Sequence, residues 1–244
     1  DKLWPICRSI TGPGITKSLK IIQKYVPIKI VEIPSGTKVF DWKVPQEWKL
    51  NRATLHTEDG KLIIDSKDSN IHVVNFSKAF KGLVSYNELQ QHLYSYKNLP
   101  SAIPYVTSYY APRWGLCLSE KQKVRLSKNK KYRVNIDTET YNGSLRYGDC
   151  VLKGKSKKTI LISAYLCHPS MANNELSGPL VWAAIYNKIA RNKERYFTYR
   201  FIMVPETIGS ISFLSKTSKK KLEEIYAGIV LTCLGGPSKS ISFK

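Results

Sequence analysis

The sequence predicts an α/β protein whose central sheet contains parallel strands. Three apolar runs have the length and composition of buried strands: 160–167, 195–204 and 227–234. The segment after the first run has Ser177 and Pro179 at positions that suit an N-cap and a first helical turn, and a second helix is predicted over 212–226. Because the order is β-α-β-α-β, we expect parallel strands joined by right-handed crossovers.

Polar side chains follow each of these three runs. His168 and Glu175 come after the first run, Glu206 after the second, and Thr232 and Cys233 at the end of the third. The carboxyl ends of parallel strands lie at one edge of a sheet, where open α/β sheets bind ligands. The sequence therefore predicts one candidate site that gathers these side chains.

The stretch 35–153 differs from the rest of the chain because its strands are short and its turns frequent. Asn142 and Gly143 are a strong hairpin signal, and they predict that the strand-like segments on either side of them pair. We interpret 35–153 as an inserted β-rich α+β domain, entered and left from a main domain formed by 1–34 and 154–244.

An aromatic-rich stretch within this predicted insert, AIPYVTSYYAPRWG at 102–115, contains two candidate substrate-binding residues. Tyr109 is a candidate wall of a substrate cleft, and Arg113 lies close to it in the sequence. The alternative is that these aromatic residues form the core and packing face of the insert itself.

The net charge of +21, from 39 Lys and Arg against 18 Asp and Glu, is far from neutral. Such a balance is found in proteins with nucleic-acid or anionic-surface partners. The aromatic residues that a nucleic-acid stacking platform interleaves with its basic side chains are missing here, so a nucleic-acid partner is not favoured. The lysines form three clusters: Lys128, Lys130 and Lys131; Lys153, Lys155, Lys157 and Lys158; and Lys219, Lys220 and Lys221.

Cysteine content and hydropathy bear on the cellular location. The five cysteines are odd in number and scattered, so they do not indicate a disulfide framework. No signal peptide is visible, and no window approaches the roughly 20 apolar residues of a membrane span. These features predict a cytoplasmic protein with free thiols and no membrane partner.

Six segments carry a resemblance to a known family: WPICRSITGPG (4–14), PSGTKVFDWKVPQEW (34–48), AIPYVTSYYAPRWGLCLS (102–119), CHPSMANNELSGP (167–179), PETIGS (205–210) and LTCLGG (231–236). The chain resembles the aminopeptidase-like zinc peptidases. It is most similar to a branch in which that domain carries a small insert and is followed by a winged helix. The resemblance implies a zinc-aminopeptidase-like sheet flanked by helices, of the phosphorylase/hydrolase type, and a main domain that continues beyond Lys244. The end of this chain, 238–244, is predicted to lie within a strand or hairpin.

The resemblance also implies an activity. It predicts a metallopeptidase that hydrolyses an amide, at the end of a peptide or an aminoacyl-like conjugate, with zinc-activated water and a glutamate base. His168 matches the first zinc ligand of the family. In the best alignment Glu206 takes the place of the base and Thr207 that of a ligand, whereas the other register places Glu206 on the metal.

The number of metal ions is expected to be one. The bridging aspartate of the family falls on Asn174 and two other acidic ligands fall on Thr207 and Thr232, so neutral side chains replace three anions that would offset the repulsion between two dications. The expected ligands are His168, Glu175 and a histidine beyond the present sequence. Asn174 is also a candidate for contact with substrate.

Alternatives remain open from the sequence alone. Glu175 and Glu206 also suit structural roles as caps of the helices that follow them. Arg8 either contacts substrate or forms a structural ion pair. The chain is then a hydrolase, a binding protein on a degenerate peptidase scaffold, or a basic module associated with nucleic acid.

Overall fold

The computed structural model describes residues 1–237, so the predicted strand or hairpin at 238–244 lies outside the described residues. The chain forms two compact units. The first contains Asp1–Glu47 and the part of the chain from Tyr141 onward, and the second is Trp48–Thr140.

The elements are named in chain order. The strands are β1 (Lys29–Pro34), β2 (Lys38–Val39), β3 (Trp42–Lys43), β4 (Glu47–Thr57), β5 (Leu62–Asp65), β6 (Phe80–Ser85), β7 (Leu93–Tyr94), β8 (Leu116–Cys117), β9 (Lys131–Tyr141), β10 (Ser144–Leu152), β11 (Thr159–Tyr165), β12 (Thr198–Val204) and β13 (Ile225–Leu231). The α-helices are α1 (Pro13–Gln23), α2 (Tyr86–Gln91), α3 (Glu120–Lys123), α4 (Ser177–Arg191), α5 (Ile208–Lys216) and α6 (Lys219–Glu223). A 3₁₀ turn spans Asn70–His72, and a π-helical turn spans Ala172–Leu176.

The first unit is built on a five-stranded mixed sheet in the order β1-β10-β12-β11-β13. β11 pairs in parallel with β12 on one side and with β13 on the other, as the β-α-β-α-β pattern predicts. β10 pairs antiparallel with both β1 and β12. Because Tyr165 is paired with Val204, and Ala164 with Leu231, the three parallel strands end at the same edge of the sheet.

The hairpin predicted around Asn142 and Gly143 does not form. β9, which precedes the turn, belongs to a second sheet in the order β5-β4-β9-β6, whereas β10, which follows it, lies in the five-stranded sheet. The turn pairs with a distant segment instead, because Ser35 N–H donates to the Gly143 carbonyl over 2.8 Å and Gly143 N–H donates to Ser35 Oγ over 3.1 Å.

The limits of the smaller unit also differ from those that the sequence predicts. The two units divide at 47/48 and 140/141, whereas the sequence predicts limits at 34/35 and 153/154. β10 is retained by the larger unit because it lies between β1 and β12 in the sheet. That the smaller unit is an inserted domain able to fold alone stays a prediction.

Two helices differ from the prediction. The helix predicted over 212–226 is two helices, since the backbone of Thr217 is extended and its Oγ1 donates to the Phe213 carbonyl over 2.7 Å, which ends α5. Ser177 is the first residue of α4 and not its N-cap, because the π-helical turn runs directly into the helix. Gly178 lies against the Leu231 carbonyl, where a side chain would clash, so a glycine permits α4 to approach the end of β13.

Packing of α4 on the sheet centres on Trp182. Its ring is fully buried, meets the ring of Phe201 edge-on at 5.3 Å and lies nearly parallel to that of Tyr186. Its indole N–H donates to the Ile162 carbonyl on β11 over 3.1 Å. This contact fixes the position of α4 against the strand that leads into the candidate site.

We expect Trp182→Ala to lower the free energy of unfolding by roughly 3–5 kcal/mol, because it leaves a large cavity and removes the donor to Ile162. Leu180 lies on the same helix and is 63% exposed, so Leu180→Ala should change the free energy by no more than about 0.5 kcal/mol. Urea unfolding followed by fluorescence and circular dichroism measures both. Equal losses for the two variants would contradict the packing described here.

Candidate active site

His168, Glu175 and Glu206 meet at the edge where the parallel strands end. His168 Nδ1 lies 2.7 Å from Glu175 Oε2, and His168 Nε2 lies 3.3 Å from Glu206 Oε2. The imidazole is thus placed between two carboxylates that approach its two ring nitrogens from opposite sides. The three residues that the sequence selected for metal binding and catalysis are therefore brought together.

Glu175 is completely buried, and its carboxylate is held from several directions. Oε2 contacts His168 Nδ1, Oε1 accepts a hydrogen bond from the Cys167 backbone N–H, and Arg8 Nε lies 4.0 Å from Oε1. A carboxylate acceptor at Nδ1 favours the tautomer that carries its proton on that nitrogen. In this tautomer Nε2 carries the free lone pair of the ring, and it is the nitrogen that faces Glu206.

Arg8 contacts residues of the site from the protein interior. It is fully buried, its Nε donates to the His168 carbonyl over 2.9 Å, and its Nη1 donates to the Leu3 carbonyl over 2.6 Å. Burial lowers the pKa of the guanidinium, while the nearby Glu175 charge opposes that shift. Of the two roles open from the sequence, these contacts are those of a structural ion pair.

Glu206 lies at the open side of the site. Its side chain is 49% exposed, in contrast to that of Glu175. Its backbone N–H donates to Cys167 Sγ over 3.3 Å, so the segment after β12 is tied to the segment after β11. Among the described residues, Glu206 is the carboxylate at this edge that both contacts His168 and reaches solvent.

Strained backbone accompanies each of the three strand ends. Ser170, Thr207 and Cys233 follow β11, β12 and β13, and their φ angles are 49°, 59° and 54°. Residues other than glycine adopt such angles at a cost, and they cluster at functional sites where the surrounding structure maintains them.

A second group of polar side chains continues along the same edge. Asn174 Nδ2 donates to the Tyr165 hydroxyl over 3.2 Å, and this hydroxyl lies 2.6 Å from Thr232 Oγ1. The Tyr165 ring also meets the imidazole of His168 edge-on at 5.8 Å. Asn174 Oδ1 is buried and accepts no hydrogen bond within residues 1–237.

Sequence reasoning did not select Tyr165. As a residue within the apolar run 160–167, it looks like another strand side chain, and its one distinguishing signal is its hydroxyl group near the end of that run. Its pairing with Thr232 follows from the sheet register, which the sequence does not specify.

Cys167 contributes a sulfur atom to the interior of the site. Its Sγ is 3.8 Å from His168 Nδ1, and ligand atoms of Cys167, His168 and Glu175 all lie within 4.8 Å of one another, a spacing that could hold a metal ion. Burial raises the pKa of the Cys167 thiol well above its usual range, and the Glu175 charge raises it further. The protonated thiol is a poor nucleophile, which argues against a cysteine–histidine mechanism.

Tyr109 and Arg113 lie in the second unit. The Tyr109 hydroxyl donates to Asn75 Oδ1 over 3.1 Å, and Arg113 Nη2 donates to the Thr107 carbonyl over 2.9 Å. The Arg113 guanidinium also lies over the Tyr94 ring, 5.7 Å from its centre. Their role in substrate binding stays a prediction.

The first unit thus combines a mixed sheet with a histidine and two carboxylates at the edge where its parallel strands end. Residues 1–244 match the family described as "Domain of unknown function (DUF4910)", and the chain belongs to that family.

The chain is similar in sequence to a protein from Clostridium acetobutylicum and to a crystal structure from the same organism. A protein named "Putative polysaccharide biosynthesis protein with aminopeptidase-like domain" is 41% identical over 235 residues, which are 96% of this chain and 54% of that protein. A crystal structure described as a "putative peptidase" from the same organism is 40% identical with a TM-score of 0.92, over 96% of this chain and 55% of that one. The chain thus spans about half the length of these relatives.

More distant structures share the fold alone. A zinc aminopeptidase from Bacillus subtilis is 13% identical with a TM-score of 0.63, over 93% of this chain and 65% of that one. A peptidase M28 precursor from Shewanella amazonensis is 10% identical with a TM-score of 0.56, over 93% and 67%. Within residues 1–237, no helix has the length and apolar character required to cross a membrane.

The five cysteines of the chain are all free thiols, and only Cys233 is exposed. Because burial keeps the Cys167 thiol protonated, we expect iodoacetamide at pH 8 to label Cys233 at least roughly tenfold faster than Cys167. Peptide mass spectrometry of native and urea-unfolded protein measures the two rates, and the unfolded sample shows that both sites are detectable. Rapid labelling of Cys167 in the native protein would contradict its burial.

Proposed function

We propose that this protein is a metal-dependent amide hydrolase of the aminopeptidase type, acting on a peptide or an aminoacyl-like conjugate. One observation carries the proposal: His168 is fixed by a buried carboxylate at Nδ1 and faces a half-exposed carboxylate at Nε2. An orienting carboxylate behind a histidine is the usual support of a metal-ligating imidazole. The names of the relatives agree with a peptidase-like activity.

A single zinc ion fits the donors in part. His168 supplies a neutral nitrogen, and in the ligand set expected from the sequence Glu175 supplies an oxygen and a histidine beyond Lys244 supplies the third donor. Both Glu175 oxygens already contact groups within the protein, namely His168 Nδ1 and the Cys167 N–H. We therefore infer that Glu175 acts on the metal through His168 and is a positioning residue.

Glu206 has two possible tasks beside such an ion. Two ligand atoms on a tetrahedral zinc, each about 2.0–2.1 Å from the metal, lie roughly 3.3 Å apart, which is close to the 3.3 Å between His168 Nε2 and Glu206 Oε2. Hydrolysis, however, needs a proton acceptor, and Glu206 is the solvent-accessible carboxylate of this edge among the described residues. We assign Glu206 as the general base, with the ligand role as the competing assignment.

The metal ion and the protein would supply different parts of the hydrolysis. A zinc ion at His168 would polarise the scissile carbonyl and lower the pKa of water to about 7. Glu206 would take a proton from the attacking water and deliver it to the leaving amine, a step worth about 10²- to 10⁴-fold in rate. Thr207, which follows it, has a φ of 59°, and this constrained backbone would help to keep the carboxylate at the open face of the site.

Substrate contact is assigned to Asn174. Its buried Oδ1 lacks a hydrogen-bond donor within the described part of the chain, so the amine or amide N–H of a substrate is a suitable partner. Asn174 and Thr232 are neutral, which supports one metal ion rather than two. Tyr165 contacts both side chains and would keep them in place.

The second candidate is a binding protein on the same scaffold. The observation that favours it is that the neutral residues Asn174 and Thr232 occupy the edge where the resemblance places anionic ligands. In this case Glu206 would be a ligand, and the site would bind a metal or a peptide end without turnover.

We expect Glu206→Gln to retain zinc but to lower kcat by about 10²- to 10⁴-fold, because the amide cannot accept the proton. Zinc content is measured by mass spectrometry of the metal, and turnover is measured with a panel of aminoacyl p-nitroanilides, using the protein as it occurs in the cell. Glu223→Gln, on the exposed helix α6, is the charge-matched control and should change neither quantity.

The other outcomes separate the assignments. Loss of zinc from the Glu206→Gln variant would make Glu206 a ligand. Unchanged turnover would remove it from the mechanism. A wild-type protein that holds zinc but hydrolyses nothing in the panel would favour the binding-protein candidate.

Glu175→Gln tests the positioning role. We expect it to weaken zinc affinity by roughly 10- to 100-fold without abolishing binding, since His168 would lose its anionic partner but would keep Nε2. Competition with a chelator measures the affinity, and circular dichroism verifies the fold. Complete loss of zinc from a folded variant would restore Glu175 to the set of direct ligands.

A further inference from the structure

Two of the lysine clusters seen in the sequence meet around one cavity in the first unit. The cavity has a volume of about 530 Å³. It receives Lys153, Lys155 and Lys157 from the segment after β10, and Lys221 from α6. Residues distant in the chain therefore place cations around a single concave surface.

The cavity lies at the opposite end of the sheet from His168. Thr159, Thr198 and Ile225 line it, and they are the first residues of β11, β12 and β13. Seven-residue strands such as these are roughly 23 Å long, which separates the cavity from the edge where the strands end. The hydrolase site and this cavity are therefore two different places on one unit.

Positive charge dominates the wall of the cavity. Arg200 joins the four lysines, and Glu224 is the acidic residue among the lining side chains. Glu224 Oε2 is bound by Lys221 Nζ at 2.7 Å. The hydrogen bond from Lys221, together with the charges of Lys221, Lys157 and Lys220, lowers the pKa of the Glu224 carboxyl, which is the response of an acid to a positive surrounding.

Some of the cationic side chains that line the cavity already form ion pairs, and others do not. Arg200 forms a two-pronged ion pair with Asp149, at 3.1 and 2.7 Å, and Lys155 pairs with Glu194. Lys153 and Lys157 form no ion pair within residues 1–237. These two lysines thus have no acidic side chain in direct contact, although the charge of Lys157 acts on Glu224 at longer range.

We propose that this cavity binds a small molecule that carries a pyrophosphate group. Its volume lies within the range of small-molecule sites, which is about 300–1,000 Å³. Lysine ammonium groups bind phosphate oxygens as point charges, and several of them around one concavity match a ligand with two phosphoryl groups. Val151 and Ile225 add apolar wall, which suits an organic group attached to the phosphates.

A compact ligand fits this surface better than an extended nucleic acid. The charges surround a cavity, whereas single strands are bound along grooves in which aromatic side chains stack on successive bases. No aromatic side chain lines the cavity as the described residues form it.

The test uses isothermal titration calorimetry at about 50 mM salt, with inorganic pyrophosphate in one arm and a nucleoside diphosphate in the other. We expect saturable binding of one molecule per chain. The double variant Lys153→Gln, Lys157→Gln should weaken it by roughly tenfold or more, because two lysine charges that form no ion pair are removed. Lys121→Gln, Lys128→Gln removes two exposed lysines of the second unit and is the control with equal net charge.

Both arms can support the proposal and distinguish the source of the phosphate. Equal affinities show that the phosphoryl groups suffice, and tighter binding of the nucleotide shows that the apolar wall contributes. Absence of binding in both arms, or equal weakening in the two double variants, overturns the proposal. A single-stranded oligonucleotide is titrated as a third arm, and binding confined to it also overturns the proposal and assigns the charge to a nucleic-acid surface.

Discussion

The buried Glu175 carboxylate is the group on which the arrangement of the candidate site depends. An isolated buried charge is very costly, so this carboxylate requires Arg8, the Cys167 N–H and His168 around it. These partners come from the N-terminal segment and from the loop after β11, and Glu175 itself comes from the π-helical turn. Removal of one partner from such a buried pair typically costs about 3–5 kcal/mol, which means that the cluster also ties three segments together.

Strained backbone at the same edge is maintained by the sheet and by a contact between two of the loops. Ser170, Thr207 and Cys233 hold φ angles that cost of order 1–3 kcal/mol each, and they follow three neighbouring strands. The sheet register and the bond from Glu206 N–H to Cys167 Sγ keep the loops in these conformations. The side chains of the edge are thus held in position before any ligand arrives, which is what binding or catalysis at a fixed geometry requires.

Sequence patterns predicted the elements that depend on residues near one another in the chain. The three parallel strands and the meeting of His168, Glu175 and Glu206 follow from apolar runs, connection order and strand direction. The pairing of Gly143 with Ser35 was not predictable, because it depends on contacts between residues far apart in the chain and overrides a strong local hairpin signal. The links from Arg8 to the His168 carbonyl and from Tyr165 to Thr232 were missed for the same reason, since no spacing in the sequence records them.

The excess of basic residues has a different meaning once it is placed on the fold. The clusters at 153–158 and 219–221 converge where the parallel strands begin, while the carboxylates Glu175 and Glu206 lie where the same strands end. With a Debye length of about 8–10 Å at physiological salt, charges at two ends of a strand roughly 23 Å long act on each other only weakly through solvent. A positive cavity can therefore attract an anion without a strong electrostatic effect on the edge where Glu175 and Glu206 lie, and one unit can carry both surfaces.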